Sequence, residues 1–274
     1  MLRDKRTIQI VLSWMRKFGI VDLADYTNFC AVLFKYYYQN RKFIKENPNF
    51  ILPSLWRMYE ASSTCSYELY FEAGVKRASL IYEIIREHVD DPEICLLEWG
   101  CGPGRTIRHL RDFEGLQIRE ITGIDYNPES IEYCKKSISG INFFTNELLP
   151  PTTLERDGFD VIYAISVFTH LSKELHLAWI AEINRLLKPG GLFIGTFHGD
   201  NYKHKLLPKE RNIFDNGELV VRSGTKEGSH MFSAYHPRQF LEKQLFADFH
   251  TIQTIETAFK GYLQAVWVVQ KPKH

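Results

Sequence analysis

Hydrophobic positions along the chain follow two spacings. Short, nearly unbroken apolar runs stand at 94–97, in REITGIDYN, in INFFT, in FDVIYAIS (159–166) and in LFIGTFHG. Such runs suit strands buried on both faces of a parallel sheet. Between them, apolar residues recur every three or four positions, the spacing of an amphipathic helix. Ala78, Ile81, Ile85 and Val89 line one such face, in a helix that the Asp90-Asp91-Pro92 break should end. Ile131, Cys134 and Ile138 line a second. A third carries Leu175, Trp179, Ile183, Leu186 and Leu187, starts after Ser172 and stops at Lys188-Pro189-Gly190-Gly191. Ile107 and Leu110 predict that a helix also follows the glycine-rich turn after the first strand. Strand and helix alternating in this way predict an α/β fold with a parallel sheet. TIQTIET and YLQAVWVVQK close the chain as two strands joined by a short turn at 258–261, an antiparallel hairpin at the end of the sheet.

Two segments depart from the alternation. Residues 7–65 read as helical and aromatic, and Pro48 and Pro53 interrupt them, which predicts two or three short helices. They suit either a cap packed on a larger domain or a lid whose Tyr and Trp faces line an acceptor pocket. The expected division is a helical cap or lid over 1–65 and a second domain over 66–274, with an insertion at about 198–236. GELVVRSG within that insertion predicts a short hairpin. Its basic run, Lys203, Lys205, Lys209 and Arg211, is either a solvated loop or an attraction for a phosphate or carboxylate on an acceptor.

Composition narrows the classes. Of the 274 residues, 45% are hydrophobic and 14% aromatic, enough for a sizeable core. Thirty-four basic residues against thirty-three acidic leave a net charge of +1, so no bulk field favours nucleic acid, and no nucleic-acid partner is expected. The five cysteines are scattered without metal-ligand spacing, which suits reduced thiols, no metal and a cytoplasmic location. No run reaches the length of a membrane span, and no cleavage site follows the basic N-terminal stretch.

The candidate chemistry starts at LLEWGCGPGRTIRHL, 96–110, where an apolar run ends at Glu98 and glycines follow at Gly100, Gly102 and Gly104. Alone, this is a dinucleotide site, a phosphate loop or a plain turn. Asp125 ends the next strand 21 positions after Gly104, close to the ~20 that separate such a turn from the acid that holds a ribose. Asn127 and Pro128 already supply the N-cap and first residue of the following helix, so Asp125 is not needed there. The loop after the third strand of such a fold meets an adenine ring, which makes Asn146, then Glu147, the candidate contacts. EWGCGPG, GIDYNPESIEYC, FDVIYAISVFTHL and LLKPGG together resemble the successive motifs of the S-adenosylmethionine-dependent methyltransferases of Rossmann-like (class I) fold. The resemblance covers about 66–270 and is nearest the group associated with sugar and glycan modification. It implies a doubly wound seven-stranded sheet, mostly parallel, and S-adenosyl-L-methionine as cofactor. On that likeness the glycine turn cradles the methionine portion and the acid holds the ribose, giving Glu98, Gly100, Cys101, Gly102, Gly104, Asp125, Tyr126, Asn146, Glu147 and Ser166. Trp99 and Asn146 depart from the usual pattern, where another residue and an Asp are common.

Methyl transfer to a hydroxyl needs a base within hydrogen-bond reach, and histidine suits neutral pH. His170 follows the fourth strand and His198 the fifth, which makes them the preferred pair. Tyr202, His230, Tyr235 and His236 are expected to shape the acceptor pocket. The absence of a DPPY-like or NPPY-like motif speaks against methylation of an amino-adenine or glutamine amide. The expected function is methyl transfer to a hydroxyl of a small molecule, a carbohydrate or glycoconjugate. The alternatives are a methyltransferase acting on protein or RNA, and a non-catalytic cofactor-binding scaffold.

Overall fold

The computed structural model describes residues 5–90, 93–115, 117–258 and 262–273. Four helices come first: α1 (Lys5–Lys17), α2 (Val21–Glu46), α3 (Leu55–Ser62) and α4 (Tyr67–His88). Ser54 caps α3 by accepting from Arg57 N, and Ser66 caps α4 by accepting from Leu69 N. At 26 residues α2 is longer than the short helices expected, since no Gly or Pro interrupts it before Pro48. Residues 91 and 92 of the Asp-Asp-Pro break lie outside the described residues, as do 259–261 of the expected final turn.

The strands and remaining helices are β1 (Glu93–Trp99), β2 (Gln117–Asp125), α5 (Pro128–Ser137), β3 (Asn142–Thr145), β4 (Phe159–Ala164), α6 (Lys173–Leu186), β5 (Leu187–Phe197), α7 (Pro208–Asp215), β6 (Val220–Arg222), β7 (Ser233–Tyr235), β8 (His250–Ile255) and β9 (Ala265–Gln270). Seven strands form one sheet in the order β3-β2-β1-β4-β5-β9-β8. β1 runs parallel to β2 and β4, and β2 to β3, whereas β9 is antiparallel to both β5 and β8. This is the parallel α/β sheet that the apolar runs predict, in the doubly wound, Rossmann-like, seven-stranded form that the resemblance implies. The order reverses between β1 and β4, and in such sheets ligands bind beyond the strand C-termini at that reversal.

The chain divides into two compact units. One comprises Asp25–Leu148 and Phe159–Tyr163. Beside the strands it holds a cluster of Met58, Tyr67 and Tyr70, with Phe43, Leu52, Leu55 and Phe71 packed on it. Here α4 presses its Gly74 against the chain following the glycine turn. A Cβ at 74 would stand 2.2 Å from Arg105 O. The helix expected after that turn is a single 3₁₀ segment, Ile107–Asp112. Thr106 makes no side-chain cap bond, and Phe113 turns extended and stacks on Tyr82 at 4.7 Å.

The other unit comprises the described residues of Met1–Ala24, Leu149–Gly158 and Ala164–His274. The insertion belongs to it and is more regular than a loop. It contains a 3₁₀ turn (Asp200–Lys205), α7 and a two-stranded sheet. GELVVRSG does not fold on itself: β6 pairs antiparallel with β7, so Val220 faces Tyr235. Leu206, Phe214, Val220 and Tyr235 give the insertion its own small core, which a self-contained hairpin would leave exposed.

Gly74→Ala sets two effects against each other. Alanine gains ~1 kcal/mol of helix propensity, whereas overpacking typically costs ~1–3 kcal/mol. With backbone as the obstacle, the net result should be a lower Tm. A Tm equal to or above the parent's would refute the close α4 contact.

Candidate functional site

β1 ends at Glu98 and Trp99, and the chain turns through Gly100, Gly102 and Gly104 at φ of 73°, 50° and 67°. These are left-handed conformations that side chains rarely adopt. Gly104 is crowded as well, since a Cβ there would lie 2.4 Å from Ile138 Cδ1. Gly100 N and Cys101 N both donate to Ile124 O, at 2.8 and 3.0 Å, which fastens the turn to the end of β2. Asp125 completes the fastening: one carboxylate oxygen accepts from Gly102 N and the other from Asn127 N, each at 2.8 Å. Asn127 caps α5 by accepting from Ser130 N. Burial raises the Asp125 carboxyl above its ordinary range, opposed by the two backbone N–H groups. Tyr126 stands half-buried beside it.

Glu98 is 3% exposed and accepts from Tyr163 Oη at 2.8 Å. Burial pushes its pKa up to about 8, against the opposing pull of the Tyr163 hydroxyl and the Arg105 guanidinium. Cys101 and Cys134 are both buried, and the Cys134 thiol donates to Gly102 O at 3.3 Å. At the end of β3, Asn146 N donates to Asp125 O at 3.1 Å, and its Nδ2 donates to Glu147 O at 2.6 Å. Its Oδ1 is buried with no partner among the described residues. The Glu147 side chain is exposed. Glu98, Gly100, Cys101, Gly102, Gly104, Asp125, Tyr126 and Asn146 thus gather around the C-terminal ends of β1, β2 and β3.

These groups fit a nucleoside carrying a cation. A buried carboxyl offers a counter-charge, and Asp125 keeps a second lone pair on each oxygen for ribose hydroxyls. The orphaned Asn146 Oδ1 is an acceptor in want of an N–H such as the adenine amine.

Ser166 and the acceptor-side residues belong to the other unit. Ser166 has φ of 61°, and its N–H donates to Thr196 Oγ1 at 2.8 Å. His170 Nδ1–H donates to Phe232 O at 2.7 Å, and His198 Nδ1–H to Ala234 O at 3.0 Å. The His198 ring stacks on Tyr202 at 4.1 Å, with Tyr235 at 5.4 Å. Burial lowers the His170 pKa to about 4 and that of His198 to about 3, so both rings are neutral bases at physiological pH. His230, half-buried, lies near enough to His170 to oppose its protonation.

His236 occupies a different environment. It is 1% exposed, packs on Phe197 and shares a 2.8 Å hydrogen bond between its Nε2 and that of His176. His176 Nδ1 faces Ser172 O, a pure acceptor, so His236 must donate in the imidazole pair. That spends the edge of the ring expected to meet an acceptor. Half of the basic run is spent too: Lys203 pairs with Asp200 and Asp215 at 2.8 and 3.1 Å, and Lys205 lies over the Tyr202 ring. The sequence reading passed over Tyr163, Thr196 and Gln264. A hairpin that returns the start of β9 to the end of β5 was the available signal for Gln264.

Residues 96–191 match the family model of a methyltransferase domain. That match spans 96 of the 274 residues. The group such a domain holds is S-adenosylmethionine, which agrees with the fit above. Over 155 residues the chain is 27% identical to a tRNA N(3)-methylcytidine methyltransferase of Schizosaccharomyces pombe, covering 53% of this chain and 49% of that protein. Over 132 residues it is 30% identical to a sterol 24-C-methyltransferase of the same yeast, covering 45% of this chain and 33% of that protein. The chain therefore spans half or less of these relatives' own lengths. Among solved structures it is similar in fold to an S-adenosylmethionine-dependent methyltransferase of Methanosarcina mazei, at TM-score 0.51 and 19% identity, covering 70% of this chain and 99% of the other. The 1,6-didemethyltoxoflavin-N1-methyltransferase of Burkholderia thailandensis, solved with its substrate and S-adenosylhomocysteine, also gives 0.51 at 19% identity, covering 73% and 79%. Among the described residues, no helix is long and apolar enough to cross a membrane.

Glu98 makes stability depend on pH. Between the ordinary carboxylate range and about 8, the folded protein holds a proton there that the unfolded chain has released. This contribution is full below about pH 4 and falls as pH rises through about 8. Glu98→Gln should flatten the curve, gaining on the parent between pH 5 and 8.5 in urea midpoints. Parallel curves would show that Glu98 ionises normally.

Proposed function

We propose that the protein transfers the methyl group of S-adenosylmethionine to a hydroxyl of a small, uncharged acceptor, with a carbohydrate or glycoconjugate as the class. The observation that carries the donor half is the Asp125 carboxylate locked onto a left-handed glycine turn. The cofactor supplies a methyl group on a sulfonium, which becomes a neutral thioether when the methyl leaves. Glu98 would counter the cationic methionine portion, Asp125 would hold the ribose and Asn146 the adenine amine. On the acceptor side, a neutral imidazole at His170 or His198 suits removal of a hydroxyl proton. The flat faces of Tyr202 and Tyr235 suit a ring. Lys203, spent on two aspartates, offers little to an anionic acceptor.

A second reading, an RNA acceptor, is favoured by α2. Phe34 and Tyr38 are 79% and 84% exposed there, and they share a helical stripe with the exposed Arg41 and Lys45. Aromatic rings interleaved with cations suit single-stranded nucleic acid. Retention of a labelled single-stranded oligonucleotide by the parent, lost in Phe34→Ala/Tyr38→Ala, would favour this reading over the first.

Calorimetry with S-adenosylhomocysteine tests the donor half. Asp125→Ala should weaken binding at least tenfold, about 1.4 kcal/mol or more. Unchanged affinity would remove the ribose assignment. Because a cationic ligand drives Glu98 to ionise, affinity of the parent for S-adenosylmethionine, which keeps the sulfonium charge, should also rise from pH 6 to 8, by up to about tenfold per unit. Glu98→Gln should abolish that slope.

A further inference from the structure

Gln264 stands just before β9, whose antiparallel register sets Ala265 opposite Phe197. This brings the glutamine to the end of β5, between Thr196 and His198. It is 8% exposed and its amide is fully engaged. Oε1 accepts from Thr196 Oγ1 at 2.7 Å, Ser166 Oγ at 2.8 Å and Tyr262 Oη at 3.2 Å. Nε2 lies 3.3 Å from His198 Nε2.

Hydrogen-bond chemistry fixes the orientation of this amide. His198 Nδ1 faces a backbone carbonyl, which only accepts, so the ring proton sits on Nδ1. A neutral imidazole has one N–H, so Nε2 carries the lone pair and requires a donor. Only the NH₂ end of Gln264 meets that requirement. The opposite end receives three hydroxyls on an oxygen with two lone pairs, so one hydroxyl hydrogen must point elsewhere. The two short bonds, from Thr196 and Ser166, fill those lone pairs, and the 3.2 Å Tyr262 contact is the one left over. Ser166 is the residue in a left-handed conformation, pinned by Thr196 through its N–H and by Gln264 through its hydroxyl. Backbone outliers held by several partners in this way mark functional positions.

We propose that Gln264 is the positioning residue of the acceptor side. It locks His198 as a neutral ring with Nε2 occupied and holds Ser166 in its left-handed conformation through the serine hydroxyl. His198 is thereby an anchor withheld from proton transfer. His170 Nε2 has no hydrogen-bond partner among the described residues, and the task of base falls to it. The assignment to an acceptor side rests on the methyltransferase reading; the lock itself does not.

The test is a histidine-ring NMR titration of the full ¹⁵N-labelled chain without cofactor or acceptor, so its outcome is separate from that of the methyl-transfer reading. In the parent, His198 should show the Nδ1–H tautomer and stay neutral down to pH 5. Gln264→Glu keeps the shape but sets a carboxylate against the Nε2 lone pair. The His198 midpoint should then rise by two pH units or more, on the order of the shift one adjacent opposite charge produces. His170 should move far less. Gln264→Met, which fills the space and removes both bonds, should leave His198 neutral but release the fixed tautomer. An Nε2–H tautomer in the parent, or a His198 midpoint that Gln264→Glu leaves in place, overturns the proposal. The parent spectrum alone decides the tautomer should a variant fail to fold.

Discussion

The donor side depends on one carboxylate accepting two backbone N–H groups from different loops. Asp125 takes Gly102 N from the turn after β1 and Asn127 N from the start of α5, while the carbonyl before it, Ile124, takes two more from Gly100 and Cys101. Four N–H groups at the edge of a crevice would otherwise need water or a ligand. The glycines can hold their left-handed conformations because this acceptor pair fixes where their N–H groups point. The constraint reaches β3 as well, where Asn146 N donates to the Asp125 carbonyl. The glycine turn, the Asp125 carboxylate and the Asn146 amide are thus parts of one backbone network.

Burial acts on Glu98 and on the two histidines in the same chemical direction with different results. At Glu98 it favours the protonated acid, so the donor side stores a proton that a cationic ligand can displace. At His170 and His198 it favours the unprotonated ring. Both groups are neutral for the same reason, that charge is expensive away from water. One neutral state is an acid and the other a base.

The alternation of apolar runs and helical spacings was sufficient to read the α/β sheet, because a strand covered on both faces leaves little freedom in its sequence. The spacing from Gly104 to Asp125 was legible for a similar reason, since one strand and one short crossover set it. What escaped the sequence was set by contacts between distant residues. The helix after the glycine turn shrank because Phe113 found Tyr82. GELVVRSG paired with residues a dozen positions on, because a joint core with Leu206 and Phe214 outweighs a local turn. His236 resembled its neighbours in the sequence, and only its buried partner His176 distinguishes it. Gln264 carried no signal as a glutamine, since its importance lies in three hydroxyls and an imidazole from elsewhere in the chain.

On the proposed donor assignment, the unpaired Asn146 Oδ1 has a consequence for selectivity among purines. An acceptor that is buried and cannot reverse its amide, because Nδ2 is tied to the Glu147 carbonyl, tolerates only a donor opposite it. A base edge bearing an amino group satisfies it, whereas one bearing a keto oxygen would bring two lone pairs face to face. Leaving such groups unmatched can separate analogues by far more than a missing methylene does. The site would thus distinguish an adenosine from its deaminated inosine counterpart with a single atom, at the end of the molecule farthest from the transferred methyl group.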